Sequence, residues 1–291
     1  MNYLVTHTTK YKYSVPVSVC HNVLMLEPAI SPLLTNLEYD LDIVPEPTMT
    51  TRRIDMFGNV VQRFSLEESH LTLNITSKSR VTSHGQAEPS ADLAATCQQV
   101  SIQSKQHSDP NWLSVAPFFF ESPRIKFSKD LADYGRQSLI ANRSVASAAM
   151  ELTRRIYTDF KYDTDATAVD TPTSVAFRGR HGVCQDFAHV AVACLRSCGL
   201  PARYVSGYLR TKPPEGKERL IGADESHAWF SVYCGAQLGW IDFDPTNDCL
   251  CGSDHVPIAF GRDYSDVVPV KGMFLGGGKT SLSVSVDVAP V

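Results

Sequence analysis

The sequence predicts an α+β protein in which a β-rich part precedes a core of helices and strands. Three observations indicate this class. Residues 1–82 contain alternating segments rich in β-branched and aromatic residues, helical spacing of apolar residues begins only after Ser128, and strand-like segments return after Pro201. Strands that are grouped before helices, rather than alternating with them, are typical of α+β folds or of separate domains.

The first part is predicted to be a small domain that resembles a β-sandwich. Segment 36–44 alternates in hydrophobicity up to Pro45, and segment 70–76 alternates again. Between them, Asp55-Met-Phe-Gly58-Asn59 has the composition of a turn that leads into a strand. Several short strands joined by turns are typical of a sandwich, so we assign residues 1–82 to this domain.

The rest of the chain divides into a connecting region, 83–128, and a second domain, 129–291. The connecting region is rich in Ser, Gln and Pro and is expected to be irregular or to form short helices. In the second domain, one helix is capped by Ser144 and a stronger one begins near Cys184. Predicted strands follow at 203–209, 227–233, 239–243 and 281–288, with a polar surface loop at 212–217.

Composition excludes several classes of function. The hydrophobic share of 43% and the charged share of 20% are those of a globular protein with a full core. A net charge of −4 gives no electrostatic footprint for nucleic acid or an anionic membrane. The N-terminus lacks the pattern of a signal peptide, so the eight cysteines are expected to be free thiols in the cytoplasm. The oligomeric state is left open.

Three separated segments carry residues suited to covalent amide chemistry. They are His181-Gly-Val-Cys184-Gln-Asp-Phe, Ser226-His227-Ala-Trp and Asp242-Phe-Asp244-Pro-Thr. Cys184 is predicted to open a helix, His227 to open a strand and Asp244 to close another. A thiol attacks carbonyls as the thiolate, which a helix N-terminus and a neighbouring imidazolium both favour. The order of residue types predicts a thiol nucleophile with a histidine base.

The supporting roles follow from the same positions. Backbone N–H groups of Cys184 and Gln185 in the first helical turn could donate to a developing oxyanion. His227 needs an acceptor that orients its second nitrogen, and Asp242 and Asp244 are both candidates. We choose Asp244, because Pro245 restricts the backbone before it and so fixes the direction of the carboxylate.

Other reactive residue types receive structural interpretations. Cys194 and Cys198 fall on the apolar side of the predicted helix and are expected to be core residues. His189 is expected to be a satisfied structural histidine, and Asp242 a solvated or locally hydrogen-bonded carboxylate. A metal cluster is not predicted, because the group formed by Cys249, Cys251 and His255 lacks a second ligand pair at the spacing of a zinc site.

These residues resemble the bacterial transglutaminase-like superfamily. The resemblance rests on three blocks in order: the run around Cys184, the run Leu195-Arg-Ser-Cys-Gly-Leu-Pro through Tyr208, and the pair of His227-Ala-Trp with Phe243-Asp244-Pro-Thr-Asn. His7-Thr-Thr-Lys-Tyr and Asp55-Met-Phe-Gly-Asn resemble the β-rich N-terminal region that accompanies such cores. Gly261-Arg-Asp-Tyr-Ser-Asp-Val resembles their C-terminal continuation.

The resemblance implies a papain-like α+β core with a triad of Cys184, His227 and Asp244. It also suggests that Tyr162 could complete the oxyanion hole, although a core role is equally expected for it. Calcium-binding sequences are not recognisable, and no cofactor is expected. The implied reaction is acyl transfer on a peptide or protein amide through a thioester, with hydrolysis as the expected outcome. The alternatives are transfer to a lysine amine, as in protein crosslinking, and a non-catalytic peptide-binding module.

The N-terminal domain has two possible roles at this stage. Its fusion to the core suggests that it shapes or guards the substrate cleft. A purely stabilising role is as well founded on the sequence alone.

Overall fold

The structure is a computed structural model that describes residues 1–90, 95–211 and 225–291. Its strands in chain order are β1 Asn2–Leu24, β2 Leu34–Val44, β3 Met49–Ile54, β4 Val60–Leu66, β5 His70–Ser83, β6 Lys161–Tyr162, β7 His181–Gly182, β8 Ala202–Leu209, β9 Glu225–Tyr233, β10 Trp240–Asp244, β11 Cys249–Leu250, β12 His255–Gly261, β13 Val270–Gly276 and β14 Thr280–Pro290. Its α-helices are α1 Cys97–Gln106, α2 Trp112–Val115, α3 Lys129–Arg136, α4 Val145–Asp159, α5 Thr173–Gly179 and α6 Cys184–Ser197.

The β-rich N-terminal part is organised around the long first strand. The sheet has the order β2-β5-β1-β4-β3, and the partner of β1 changes from β5 to β4 between Val17 and Cys20. The first half of β1 pairs with β5, and the second half pairs with β4. Side chains from β1, β2, β4 and β5 share one apolar cluster that includes Leu24, Phe64 and Ile75, so the two halves of the sheet enclose a common core.

The last two strands join this first sheet. β13 pairs with the second half of β1, and β14 pairs with the first half, both antiparallel. Segment 281–288 is predicted from the sequence to belong to the second domain, whereas its hydrogen bonds go to the first. Alternation identifies a strand but does not identify its partner, which explains the difference. Gly276, Gly277 and Gly278 have positive φ values and form the turn between β13 and β14.

The second layer is a five-stranded antiparallel sheet with α6 packed on it. Its order is β11-β10-β9-β8-β12, and α6 contacts β8 and β9. Apolar residues of α6, α4 and these strands form the largest core cluster, which includes Leu152, Val190 and Phe230. Ser144 and Ser128 accept hydrogen bonds from Ser147 N–H and Leu131 N–H, and thereby cap α4 and α3.

Two buried hydrogen bonds between Asn59 and Phe260 join the sheets. Asp55 accepts hydrogen bonds from Asn59 within the predicted turn, and Asn59 in turn binds the backbone of Phe260 in β12. Its side-chain amide donates to the Phe260 carbonyl at 2.7 Å and accepts from the Phe260 N–H at 2.7 Å. The Asp55–Asn59 motif therefore fastens the N-terminal sheet to the edge of the second sheet.

Within the described ranges no helix is long and apolar enough to cross a membrane. The polar loop expected at 212–217 lies outside the described residues. The connecting region contains α1, α2 and a short 3-10 helix at Ala116–Phe118.

Candidate active site

Cys184 is the first residue of α6, and its position is fixed by the residues around the helix start. Asp186 accepts a hydrogen bond from Val183 N–H at 2.9 Å and another from the Thr167 hydroxyl at 2.7 Å. Gly182 has a φ of 150°, and a Cβ there would collide with the Asp186 carboxylate. Glycine at this position thus allows the carboxylate to hold the turn that presents the Cys184 side chain.

His227 and Asp244 meet at neighbouring strands of the second sheet. His227 lies near the start of β9, and Asp244 ends β10. The Nε2 atom of His227 is 2.8 Å from Oδ2 of Asp244, and both side chains are buried. The thiol of Cys184 lies near the His227 ring, whose pKa it raises, and the two side chains line the same cavity. The structure therefore brings the three residues together in the order thiol, imidazole, carboxylate.

The electrostatics of this group favour a charged imidazole. Burial alone would lower the pKa of His227, but its hydrogen bond to Asp244 and its interaction with Cys184 outweigh burial and raise the pKa to about 10. Burial would raise the pKa of Asp244, but hydrogen bonds from His227 and His255 hold it well below its usual range. Imidazolium and carboxylate therefore stabilise each other in this site.

Asp244 has a second histidine partner, His255, which was not predicted from the sequence in this role. Nε2 of His255 lies 3.0 Å from the same Oδ2 atom, and Nδ1 of His255 accepts from Gly252 N–H at 3.3 Å. That pairing puts the ring proton on Nε2, which donates to Asp244. Asn247 donates to Oδ2 at 2.7 Å and Thr246 N–H to Oδ1 at 2.8 Å. Thr246 and Asn247 follow Asp244 closely in sequence, so their contacts with it could have been predicted. His255 comes from another strand, so its contact could not.

His227, Asp244 and His255 also form a group whose ligand atoms all lie within 4.8 Å of one another. Such a trio could in principle hold a metal ion. Tetrahedral zinc, with bonds of about 2.0–2.1 Å, separates its ligand atoms by about 3.3 Å. The observed separations from Oδ2, 2.8 and 3.0 Å, are those of hydrogen bonds. These distances indicate a network of hydrogen bonds and not a metal centre.

Asp242 is a buried carboxylate, which corrects the solvated alternative. Only 1% of its surface is exposed, and its Oδ2 accepts a hydrogen bond from the indole N–H of Trp229 at 3.0 Å. Its backbone is bonded in both directions to the side chain of Gln86. Asp242 is thus locally hydrogen-bonded and directed to Trp229, while Asp244 is the carboxylate on His227.

The two oxyanion candidates occupy different places. Gln185 follows Cys184 in the first turn of α6, and its side-chain amide donates to the Val169 carbonyl at 3.0 Å. Tyr162 lies in β6 opposite Gly182, is 47% exposed and packs edge-on against Phe187. The backbone N–H groups of Cys184 and Gln185 lack acceptors within the helix, so they remain the predicted oxyanion donors. Both roles stay predictions.

A cavity of about 390 Å³ opens at the thiol. Cys184, Gln185 and His227 line one side of it, and residues of β1 and β14 line the other. Tyr162 is outside its described lining. The candidate site therefore lies between the two sheets, and the first sheet contributes part of its wall. On the core side, Cys184 packs against an apolar cluster of β8, β9, β12 and α6 that includes Tyr204 and Ala228.

The remaining thiols and His189 have the structural surroundings expected for them. All eight cysteines are free, and Cys194 is fully buried while Cys198 is partly buried. His189 is buried, its Nε2 accepts from Tyr264 N–H at 3.2 Å, and its ring lies against Tyr204. Burial lowers the pKa of His189 to about 3. His189 is therefore neutral and structural.

Comparison with known proteins identifies the family of the chain. Residues 3–82 match the bacterial transglutaminase-like N-terminal region, and residues 135–245 match the transglutaminase-like superfamily. An uncharacterised protein of Mycobacterium tuberculosis is 36% identical over 292 residues, which cover 99% of this chain and 92% of the relative. One of Mycobacterium leprae is 32% identical over 287 residues, covering 98% and 97%.

Two other matches concern proteins with a named activity. A protein-glutamine gamma-glutamyltransferase of Pseudomonas aeruginosa is 25% identical over 223 residues, which are 76% of this chain and 29% of that enzyme. The solved structure of a candidate cysteine protease from Cytophaga hutchinsonii superposes with a TM-score of 0.76 at 22% identity, covering 99% of this chain and 90% of the other. The fold is therefore shared along nearly the whole chain, and the protein belongs to the transglutaminase-like superfamily, with the β-rich N-terminal region found in its bacterial members.

Proposed function

We propose that the protein is a cysteine-dependent amide hydrolase that acts on a peptide or protein substrate. The observation that carries this proposal is the alignment of Cys184, His227 and Asp244, with the thiol at a helix N-terminus and the imidazole held by a buried carboxylate. Each group has the position that a nucleophile, a general acid–base and an orienting acceptor require.

The first half-reaction forms a thioester. The Cys184 thiolate attacks the carbonyl carbon of the substrate amide, and the oxyanion receives hydrogen bonds from backbone N–H groups at the start of α6. When the tetrahedral intermediate collapses, the C–N bond breaks. The imidazolium of His227 gives its proton to the departing nitrogen, so that a neutral amine leaves.

The second half-reaction returns the enzyme to its starting state. Neutral His227 takes a proton from a water molecule, whose oxygen attacks the thioester carbonyl. The C–S bond then breaks, the carboxylic acid is released, and the thiolate–imidazolium pair is restored. Asp244 keeps the His227 ring in one orientation through both steps and stabilises its positive charge.

Amine transfer is the second candidate reaction. The Pseudomonas aeruginosa relative is named a protein-glutamine gamma-glutamyltransferase, and a lysine amine could replace water in the second half-reaction. We favour hydrolysis because no carboxylate lies among the described residues that line the cavity, and a lysine ammonium would enter it without a counter-charge. We also propose that the reaction takes place in the cytoplasm.

The experiment is incubation of the protein with glutamine-containing peptides and a labelled primary amine, followed by mass spectrometry. Cleaved or deamidated peptide, absent with the Cys184→Ala variant, is the expected result. Incorporation of the amine as the main product would replace hydrolysis with transfer. If no product forms, and iodoacetamide at near-neutral pH modifies Cys184 no faster than the other seven thiols, the protein is a binding module and the proposal fails.

A further inference from the structure

The cavity at Cys184 has a second wall made by two paired strands of the first sheet. His7, Thr9 and Tyr11 alternate along β1, so their side chains lie on one face. In the register of the β1–β14 pair, Thr9 lies opposite Val284 and Tyr11 opposite Leu282. These side chains line the same cavity as the thiol, so a substrate at Cys184 must pass along this face.

The β14 part of this wall is apolar and exposed. Leu282 is 57% exposed and Val284 is 51% exposed, although both lie beside a reactive group in a cleft. Pro269 and Val270, which lead into and begin β13, extend the apolar lining. The free energy falls when a ligand covers exposed apolar side chains and removes their surface from water. An exposed apolar surface in a cleft therefore indicates a binding site.

The wall is held rigidly relative to the thiol. The Tyr208 hydroxyl of β8 is hydrogen-bonded to Nδ1 of His7 at 2.9 Å, and Nε2 of His7 is hydrogen-bonded to the Thr9 hydroxyl at 2.9 Å. Burial lowers the pKa of His7 to about 4, so this connection is uncharged at neutral pH. A preformed surface loses little entropy when it binds a ligand.

We infer that Tyr11, Leu282 and Val284 bind an apolar side chain of the peptide substrate, within one residue of the amide that Cys184 attacks. The inference rests on the proposed function and adds a substrate class to it. Among the described residues the cavity lining includes no Asp, Glu, Lys or Arg, so a charged side chain would be desolvated there without a partner. A volume of about 390 Å³ is within the range of small-ligand sites.

The test compares alkylating reagents that differ only in their amide substituent. Iodoacetamide, its N-isobutyl derivative and its N-(2-aminoethyl) derivative all react when the thiolate displaces iodide and forms an S–C bond. Rates at Cys184 are measured by mass spectrometry and normalised to the rates with glutathione. We expect the isobutyl reagent to be about tenfold faster than iodoacetamide, the aminoethyl reagent to be no faster, and Leu282→Glu or Val284→Glu to reverse this order.

Leu275→Glu is the matched control. Leu275 lies in β13 of the same sheet, is 66% exposed and is outside the described cavity lining, so its variant should keep the wild-type preference. Equal normalised rates for the three reagents, or the same change in Leu275→Glu as in Leu282→Glu, would overturn the inference. Reagent preference is independent of amide cleavage. Slow modification of Cys184 by iodoacetamide relative to the other thiols would count against the proposed function alone.

Discussion

At the scale of single residues, the site depends on one carboxylate oxygen. Oδ2 of Asp244 accepts hydrogen bonds from His227, His255 and Asn247. Three donors on one oxygen hold a buried charge that would otherwise be costly. The same oxygen fixes the imidazole that faces Cys184. Substitutions at Asp244 and His255 should therefore distinguish the effect of the buried charge from the effect of side-chain packing.

The first prediction concerns the charge on His227. Asp244→Asn removes the negative charge beside the His227 ring, so the pKa of His227 should fall from about 10 by about one to two units. NMR titration of labelled histidine rings measures this shift. Asp242→Asn is the control, since Asp242 binds Trp229 rather than His227. An unchanged His227 titration in Asp244→Asn would refute the assignment.

The second prediction concerns the donor role of His255. His255→Phe retains an aromatic ring against Trp229 but removes the hydrogen bond to Asp244, and it should lower the free energy of unfolding by about 1–3 kcal/mol. His255→Gln can still donate and should lose less. Denaturant unfolding of both variants provides the measurement. Equal losses would mean that shape, and not the hydrogen bond, explains the effect.

At the scale of elements, the start of α6 carries the nucleophile. Asp186 binds Val183 N–H, and this contact needs the space left by glycine at position 182. The helix interior then packs on β8 and β9, with Phe187, Val190 and Leu195 buried. The local turn and the packed helix together hold Cys184 beside His227.

The third prediction tests this turn. Gly182→Ala adds a Cβ at a φ of 150°, where it collides with the Asp186 carboxylate, and should cost about 1–3 kcal/mol of stability. Alkylation of Cys184 by iodoacetamide should slow in the folded variant, because the thiol is displaced. Gly252→Ala is the matched control, since its Cβ would meet open space. Similar stability and reactivity for the two variants would contradict the role given to Gly182.

At the scale of the whole molecule, two sheets are joined by buried polar contacts. Asn59 binds Phe260, and His7 binds Tyr208, each across the junction between the sheets. The cavity at Cys184 lies at this same junction. The stability of the junction should therefore depend on the protonation of the histidines buried in it.

The fourth prediction is a maximum of stability near pH 6.5. Burial lowers the pKa of His7 to about 4 and of His189 to about 3, so their neutral forms contribute stability that is lost as pH falls below the unfolded value of about 6.5. The pKa of His227 is raised to about 10, so its contribution is complete below pH 6.5 and is lost as pH rises towards 10.

Unfolding by urea between pH 5 and 9 measures both slopes. Below pH 6.5, His7→Asn should reduce the decline in the free energy of unfolding by up to about 1.4 kcal/mol per pH unit. Above pH 6.5, Asp244→Asn should make the decline in the free energy of unfolding less steep. His21, on the exposed side of β1 away from the cavity, offers the control variant His21→Asn. A stability curve that is flat from pH 5 to 9 in the wild type would refute this prediction.

The local part of this structure was readable from residue order. Ser144 and Ser128 precede α4 and α3, the Gly199-Leu-Pro segment follows the end of α6, and Gly276-Gly-Gly forms the last turn. Cys184 begins its helix and Asp244 ends its strand as expected. These features depend on a few neighbouring residues, because caps, turns and alternation are set by hydrogen bonds and sterics within one or two turns of chain.

The partners of these elements were decided only in the folded molecule. Alternation along 281–288 predicted a strand but not its place beside β1, and the spacing of His255 gave no indication that it binds Asp244. The wall that Leu282 and Tyr11 form next to Cys184 joins residues far apart in sequence. The sequence by itself determined the types of element and the local positions of the reactive groups, whereas the cleft was decided by tertiary packing, since only packing brings distant apolar faces together.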